Sequence, residues 1–217
     1  MIRPLVYVVD YSYALRLRMF GWLHVRDDYL GGEKAPIVLL PGVYEPWTFL
    51  RPLAEHLHSA GHPVHVVRAL GRNTRPIPLS ASIVQRYLVE RDLTGVTLIA
   101  HSKGGLIGKH MMIVDDTDAR IDRLIALATP FAGSSYARYF LNRPLRAFIP
   151  TDETLTMLAA DALANARITS IYGPWDTHIP EGSELVGATN IEVPLPGHFR
   201  IVGDPRVFAA IDEALGD

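Results

Sequence analysis

The sequence predicts an α/β domain, a mostly parallel central sheet of about six strands with helices on both faces. Six short apolar runs, "APIVLL" (35–40), "PVHVVRAL" (63–70), "VTLIA" (96–100), "RLIALA" (123–128), "RITSIYG" (167–173) and "NIEVPLPG" (190–197), are apolar at successive positions, the pattern of strands buried on both faces. Stretches of helical period separate them, and strand–helix alternation gives parallel strands with crossovers on both sides of the sheet. The 217 residues suffice for one core, and 48% hydrophobic with 20% charged residues is an ordinary globular balance.

Residues 1–34 stand outside the alternation as an N-terminal arm. Val6, Val9, Tyr13, Leu17 and Phe20 share one helical stripe, so a helix packed on the core, or on a second copy in a homodimer, is expected. "WLHVR" (22–26) reads as an added edge strand. The main domain spans 35–217. After the first run, "WTFLRPLAEHLHSAG" places Leu50, Leu53, Ala54 and Leu57 on one face and stops at Gly61. After the second, "SASIVQRYLVERDLTG" does so with Ile83, Tyr87 and Leu88. "GGLIGKHMMIVDD" follows the third. The fourth leads into a cap segment at about 131–166, where Pro144 and Pro150 limit helix length to one or two short pieces. "DPRVFAAIDEALG" closes the chain with Asp204 as N-cap and Pro205 in the first turn.

Several function classes drop out. A net charge of -2 without a basic block argues against nucleic acid as a partner. The absence of cysteine excludes disulfides, thiolate nucleophiles and thiolate metal sites. Asp10 interrupts the opening apolar run, no small-x-small cleavage site follows, and no uncharged run reaches membrane-spanning length. A soluble, cytoplasmic protein is expected. His56, His58, His62 and His65 lie close in sequence, but His56 and His58 are two apart on a helix and face different ways. They read as solvated side chains, with no metal and no cofactor expected.

In a parallel sheet the ligand site lies at the carboxyl ends of the strands. There stands "LIAHSKGGLIGKH" (98–110). A phosphate loop fails, because the position five before Gly108 holds Lys103 and the position after Lys109 holds His110. A nucleophile elbow fits: Ser102 sits between run and helix, with small Ala100 and Gly104 two positions away on either side. The alternative is that Ser102 only caps the helix. The partners of an elbow serine follow in the order acid, then histidine. Asp176 in "YGPWDTHIP" and His198 in "PLPGHFRI" each come after a strand. Ser102 would attack, His198 would take and return its proton, and Asp176 would orient the imidazole. The oxyanion would be held by the N–H groups of Lys103 and of Val43, the latter from "LLPGV". Tyr44, Phe131, Tyr136, Tyr139 and Phe140 are the candidate pocket residues. Arg72 and Arg75 in "GRNTRPIP" either contact an acidic substrate group or are solvated.

These motifs resemble the α/β-hydrolase superfamily, in particular small bacterial lipases and esterases of the minimal Bacillus type. "AHSKGG" is similar to the family's elbow with its alanine variant, "TSIYGPWDTHIP" to its acid segment, "GHFRI" to its histidine segment, and "ATPFAGS" to its T-P-x-x-G-S loop. The resemblance covers roughly 35–217. It implies the α/β-hydrolase fold and a serine hydrolase that cleaves carboxylic esters through an acyl-enzyme, with a small-molecule ester as substrate; the cap at 131–166, too short for a large lid, is what points to short-to-medium acyl chains. Thioester hydrolysis, acyl transfer, and a non-enzymatic binding module with a degenerate site are the alternatives. Three departures stand out. Pro41 replaces a common histidine, and no clear sequence supplies the first two strands of the larger fold. Lys103 replaces a methionine or glutamine, which would put a cation beside the nucleophile.

Overall fold

The most apolar runs form the middle of the sheet. A computed structural model describes residues 3–20 and 29–217. Among these, β1 (Ile37–Leu40), β2 (Val64–Val66), β3 (Val96–His101), β4 (Ile121–Leu127), β5 (Ile168–Tyr172) and β6 (Thr189–Glu192) form one sheet. Its order is β2-β1-β3-β4-β5-β6, and every pairing is parallel. β1 and β3 are buried throughout, whereas β6 is largely exposed and forms an edge. β2 and β6 fall well short of their runs. Past Val66 the chain turns through a 3-10 segment at Arg68–Leu70, and Pro194 and Pro196 prevent β6 from extending, since proline donates no ladder hydrogen bond.

The two faces alternate along each strand. Ile37 and Leu39 point one way with Ile99 and Ile125, meeting Leu53 and Leu57 of α2 (Arg51–Ser59) and Val207 and Ile211 of α7 (Pro205–Leu215). Val38 and Leu40 point the other way with Leu98 and Ala100. They meet α3 (Ile77–Glu90), α4 (Lys103–His110) and α6 (Glu153–Ala160). In α3 the core side chains are Ile77, Ala81, Val84 and Leu88, with Ile83 and Tyr87 half-buried beside them. Between β4 and β5 lie a 3-10 turn (Ser135–Tyr139), the one-turn helix α5 (Arg143–Arg146), α6, and a second 3-10 turn.

The N-terminal helix α1 (Arg3–Phe20) lies on the first of these faces. Val6, Asp10, Ala14 and Leu17 are its buried positions, and Val9 and Tyr13 are half-buried. The Phe20 side chain and the strand expected at 22–26 lie outside the described residues. No described helix is long and apolar enough to cross a membrane.

Candidate active site

The elbow is built from a strand end, a strained residue and a glycine. β3 ends at His101, and α4 starts at Lys103. Ser102 between them has φ 52° and ψ −118°, a conformation that costs a non-glycine residue about 1–3 kcal/mol. The neighbours enforce it. Ser102 N–H donates to Leu127 O at 2.8 Å, and Thr129 Oγ1 donates to Ser102 O at 3.0 Å. A Cβ on Gly104 would overlap the Leu40 carbonyl, so strand and helix close up only over glycine. The Ser102 side chain makes no capping bond to α4. The capping role therefore does not account for the serine.

His198 comes to the same place from the loop after β6. Its Nδ1 lies 2.7 Å from Asp176 Oδ2. Asp176 Oδ1 accepts the N–H groups of His178 (2.6 Å) and Ile179 (3.1 Å). Burial pushes the Asp176 carboxyl up, but the charge and hydrogen bond of His198 and the N–H of His178 outweigh it, so its pKa is lowered. Burial likewise disfavours the His198 imidazolium. Asp176, first by charge and then by hydrogen bond, reverses this with help from Glu45 and Asp10, and the pKa is raised.

Four polar residues to which the sequence assigned no role complete the surroundings. Asp10 is fully buried and accepts the backbone N–H of His198 (2.7 Å), Phe199 (2.9 Å) and Arg200 (3.0 Å). Its signal was present as a carboxylate in the buried stripe of α1, where a charge requires partners. Glu45 Oε2 accepts Gly42 N–H at 2.7 Å and lies 2.9 Å from His101 Nδ1, while His101 Nε2 lies 2.9 Å from His198 O. This chain of contacts runs from the loop after β1 to the backbone of His198. The His178 ring lies 4.7 Å from that of His198, centroid to centroid, tilted by 43°. Burial, then the charge of His198, lowers its pKa to about 3, which keeps it neutral.

Ser102 and His198 open on a cavity of about 570 Å³ with largely apolar walls. α1 contributes Tyr11, Ala14, Leu15 and Arg18, and the loop after β1 contributes Val43 and Tyr44. The cap contributes Tyr136, Phe140, Leu145 and Phe148. Two pocket expectations are corrected. Phe131 is buried in the core on the α3–α4 face, and Tyr139 lies on the surface beneath the Arg138 guanidinium, 5.5 Å from its ring centroid. Neither borders the cavity. The expected cation beside the nucleophile is also corrected. Lys103 is buried, but its Nζ turns away to the carbonyls of Asn73 (2.9 Å) and Arg75.

Among the described residues, Asp176, His178 and His198 form the one group with metal-ligand spacing, their ligand atoms within 4.8 Å of one another. Their atoms already serve one another. His198 Nδ1 holds Asp176, and His178 has Tyr11 Oη 2.8 Å from Nε2 and Thr177 Oγ1 2.8 Å from Nδ1. A metal would have to displace these bonds. The four histidines at 56–65 find separate partners: His56 with Asp212, His62 with Ala35 O and Asp217, His65 with Tyr87, and His58 against the Tyr29 ring.

No family model matches the sequence, and no curated protein matches it. Solved structures do. The mature lipase BlEst2 of Bacillus licheniformis superposes with a TM-score of 0.71 at 16% identity, over 88% of this chain and 94% of that one. The chain has the α/β-hydrolase fold. An extracellular α/β-hydrolase from a Paenibacillus species gives a TM-score of 0.59 at 18% identity, over 83% of this chain and 99% of that one. Mouse α/β-hydrolase domain-containing protein 10 gives 0.61 at 14% identity, over 86% and 92%. In an α/β-hydrolase fold with this strand order, β3 is the strand that leads into Ser102, and the loops after β5 and β6 carry Asp176 and His198.

Proposed function

We propose that the chain is a serine hydrolase that cleaves carboxylic esters through an acyl-enzyme, with Ser102 as nucleophile, His198 as general base and Asp176 as its orienting acid. The observation that carries this reading is Ser102 itself. It is held at φ 52° without capping its helix, on the same cavity as a histidine that is hydrogen-bonded to a buried carboxylate. A strained residue that serves no local structural end is what an elbow nucleophile requires.

His198 takes the Ser102 proton as Oγ attacks the ester carbonyl, and the growing imidazolium is stabilised by Asp176. The N–H of Lys103 at the start of α4 and that of Val43 hold the oxyanion, with the helix dipole in support. His198 then protonates the leaving alcohol. Water enters by the reverse sequence and releases the acid. The apolar walls suit an acyl chain of short-to-medium length. Thioesters would pass through the same acyl-enzyme.

A fluorophosphonate probe tests the reading. Labelling is expected on Ser102 and is expected to vanish in Ser102→Ala. Undiminished labelling or esterase activity in that variant would overturn it.

A further inference from the structure

Four arginines line a path that leads out of the acyl cavity. Tyr44 borders that cavity and also a second one of about 690 Å³, which Arg72, Thr74 and Arg75 line. Thr74 and Arg75 in turn border a third, open one of about 700 Å³, which Arg143, Arg146 and Thr151 also line. The segment from α5 to Phe148 is the partition: Leu145 and Phe148 border the acyl cavity, and Arg143 and Arg146 border the groove. The arginine ion pairs among the described residues belong to Arg51, Arg120, Arg123 and Arg206, so none of the four groove arginines has a carboxylate partner there, although Arg75 Nη1 donates to the carbonyls of Ala69 (3.3 Å) and Leu70 (3.4 Å). The one acid among the described lining residues, Asp152, is engaged at the start of α6, where it accepts Thr154 N–H at 2.9 Å. In a chain of net charge -2, this is a local excess of positive charge.

The loop that carries Arg72 and Arg75 is fastened to the catalytic elbow. The ammonium of Lys103, the residue after Ser102, donates to the carbonyls of Asn73 and Arg75. Asn73 is fully buried at φ 50°, and its Nδ2 donates to Pro41 O at 2.6 Å. A buried cation is costly unless its hydrogen bonds are met. Here they are spent on the backbone of the arginine loop, which sets that loop against both the nucleophile and the oxyanion loop.

We infer that this groove binds a phosphate-bearing leaving group. The acyl chain occupies the apolar cavity, the carbonyl sits at Ser102, and an alcohol or thiol carrying one or more phosphates extends past Tyr44 along the arginines. Four guanidiniums exceed what a single carboxylate would use, and guanidinium forks match phosphate oxygens bidentately. The inference rests on the ester-hydrolase reading. The Ser102 Oγ–acyl bond forms as the bond from acyl carbon to the leaving oxygen or sulfur breaks. His198 passes the serine proton to that atom, and water then releases the acid.

The test compares hexanoyl-coenzyme A with p-nitrophenyl hexanoate, which carries no phosphate, in the wild type and in Arg143→Ala/Arg146→Ala. Charge-assisted contacts of this kind predict a roughly 10- to 100-fold loss of kcat/KM on the coenzyme A ester, carried by KM and several-fold greater than the loss on the p-nitrophenyl ester. Arg143→Glu/Arg146→Glu should deepen it, with unchanged far-UV dichroism as the folding control. Pyrophosphate should inhibit the thioester reaction competitively. Equal losses on both esters, or no competition by pyrophosphate, overturn the inference. So does inhibition by pyrophosphate of the p-nitrophenyl reaction alone, which would mark a free-phosphate effector site. Arginine-dependent binding to anionic phospholipid vesicles, with both ester rates falling together, would assign the arginines to a membrane and also overturn it. If the wild type cleaves neither ester, calorimetry with pyrophosphate separates the two failures. Arginine-dependent binding keeps the groove and rejects the hydrolase reading, whereas no such binding rejects the groove.

Discussion

The carboxylate of Asp10 accepts the backbone N–H of His198 at 2.7 Å, across 188 residues of sequence. It accepts the N–H groups of Phe199 and Arg200 as well, with its side chain fully buried. The N-terminal helix thereby positions the proposed general base. Loss of the carboxylate leaves three donors unmet in the interior, each costing about 1–3 kcal/mol where water cannot reach. Asp10→Ala should lose at least about 2 kcal/mol of stability and lower kcat more than it raises KM. A pH effect separates positioning from mere stabilisation. Asp10, Glu45 and Asp176 are the negative groups that favour the His198 imidazolium, while the rings of His101 and His178 pack against it. With Asp10 removed, the acid limb of kcat/KM should move to lower pH. A destabilised variant whose acid limb stays in place would reduce Asp10 to a structural role.

The wild-type acid limb itself has a stated direction. Only neutral His198 can take the serine proton. Its pKa is raised from 6.5 by Asp176, Glu45 and Asp10 against the effect of burial, so activity should reach half its plateau above pH 6.5 and fall as pH drops further. His178, held near 3, contributes no second limb between pH 5 and 9. Asp176→Asn should cut turnover by on the order of 10⁴, as the same change does in a serine protease. A limb centred below pH 6 would contradict the electrostatic arrangement around His198.

Strain at Ser102 should be measurable as stability. At φ 52° glycine is at ease where serine is not. Ser102→Gly should therefore be inactive yet more stable than Ser102→Ala by about 1 kcal/mol or more. Gly104→Ala works the other way, because its Cβ meets the Leu40 backbone. That variant should melt well below the wild type. Equal melting temperatures for Ser102→Gly and Ser102→Ala would mean that the turn stores no strain.

The strands and the elbow were legible because their signals are local. A run of apolar residues becomes a buried strand, and Ser102 is framed by Ala100 and Gly104 within five residues. Asp176 and His198 were legible through their order after strands β5 and β6. Asp10 and Glu45 were not, since their partners are backbone N–H groups and a ring brought close only by folding. Phe131 and Tyr139 were misplaced for a related reason. An aromatic side chain in an irregular cap carries no period to say whether it turns to core, cavity or solvent. Lys103 shows the same limit: adjacency to Ser102 fixed where its backbone lies, but not where a four-carbon side chain ends.

The direction of that side chain makes its own prediction. Because the Lys103 ammonium faces the 73–75 backbone, Lys103→Met should leave the acid limb in place. Its effect belongs to the loop and to alkaline stability. Burial lowers the Lys103 pKa to about 8 from 10.5. The cost of burying the charged form is therefore present below pH 8 and relieved as pH rises from 8 to 10.5, where the unfolded chain still binds the proton that the folded one has released. Wild-type stability relative to Lys103→Met should rise through that window. Amide exchange at 71–76 should quicken in the variant. An acid limb displaced by the substitution would place the ammonium near His198 after all.

A mobile lid needs a long segment with free ends, and the cap here has neither. Its helices have four and eight residues. Its start is pinned: Ser134 N–H donates to Phe148 O at 2.7 Å, and Ser134 Oγ donates to His178 O at 2.7 Å, on the loop that carries Asp176. Ser135 N–H meets Glu181 at 2.9 Å. Phe148, Leu155 and Leu158 anchor the remainder in the core. Swinging the cap open would break these bonds and expose those side chains, at about 1.5–3 kcal/mol for each side chain uncovered. The cap should therefore act as a fixed pocket wall. Hydrolysis rate against ester concentration should follow one hyperbola through the substrate's solubility limit. Ser134→Ala, which frees the cap from the His178 loop, should raise KM and loosen chain-length preference without creating a step. A sharp rise in wild-type rate at the solubility limit would show that residues 131–166 move as a lid.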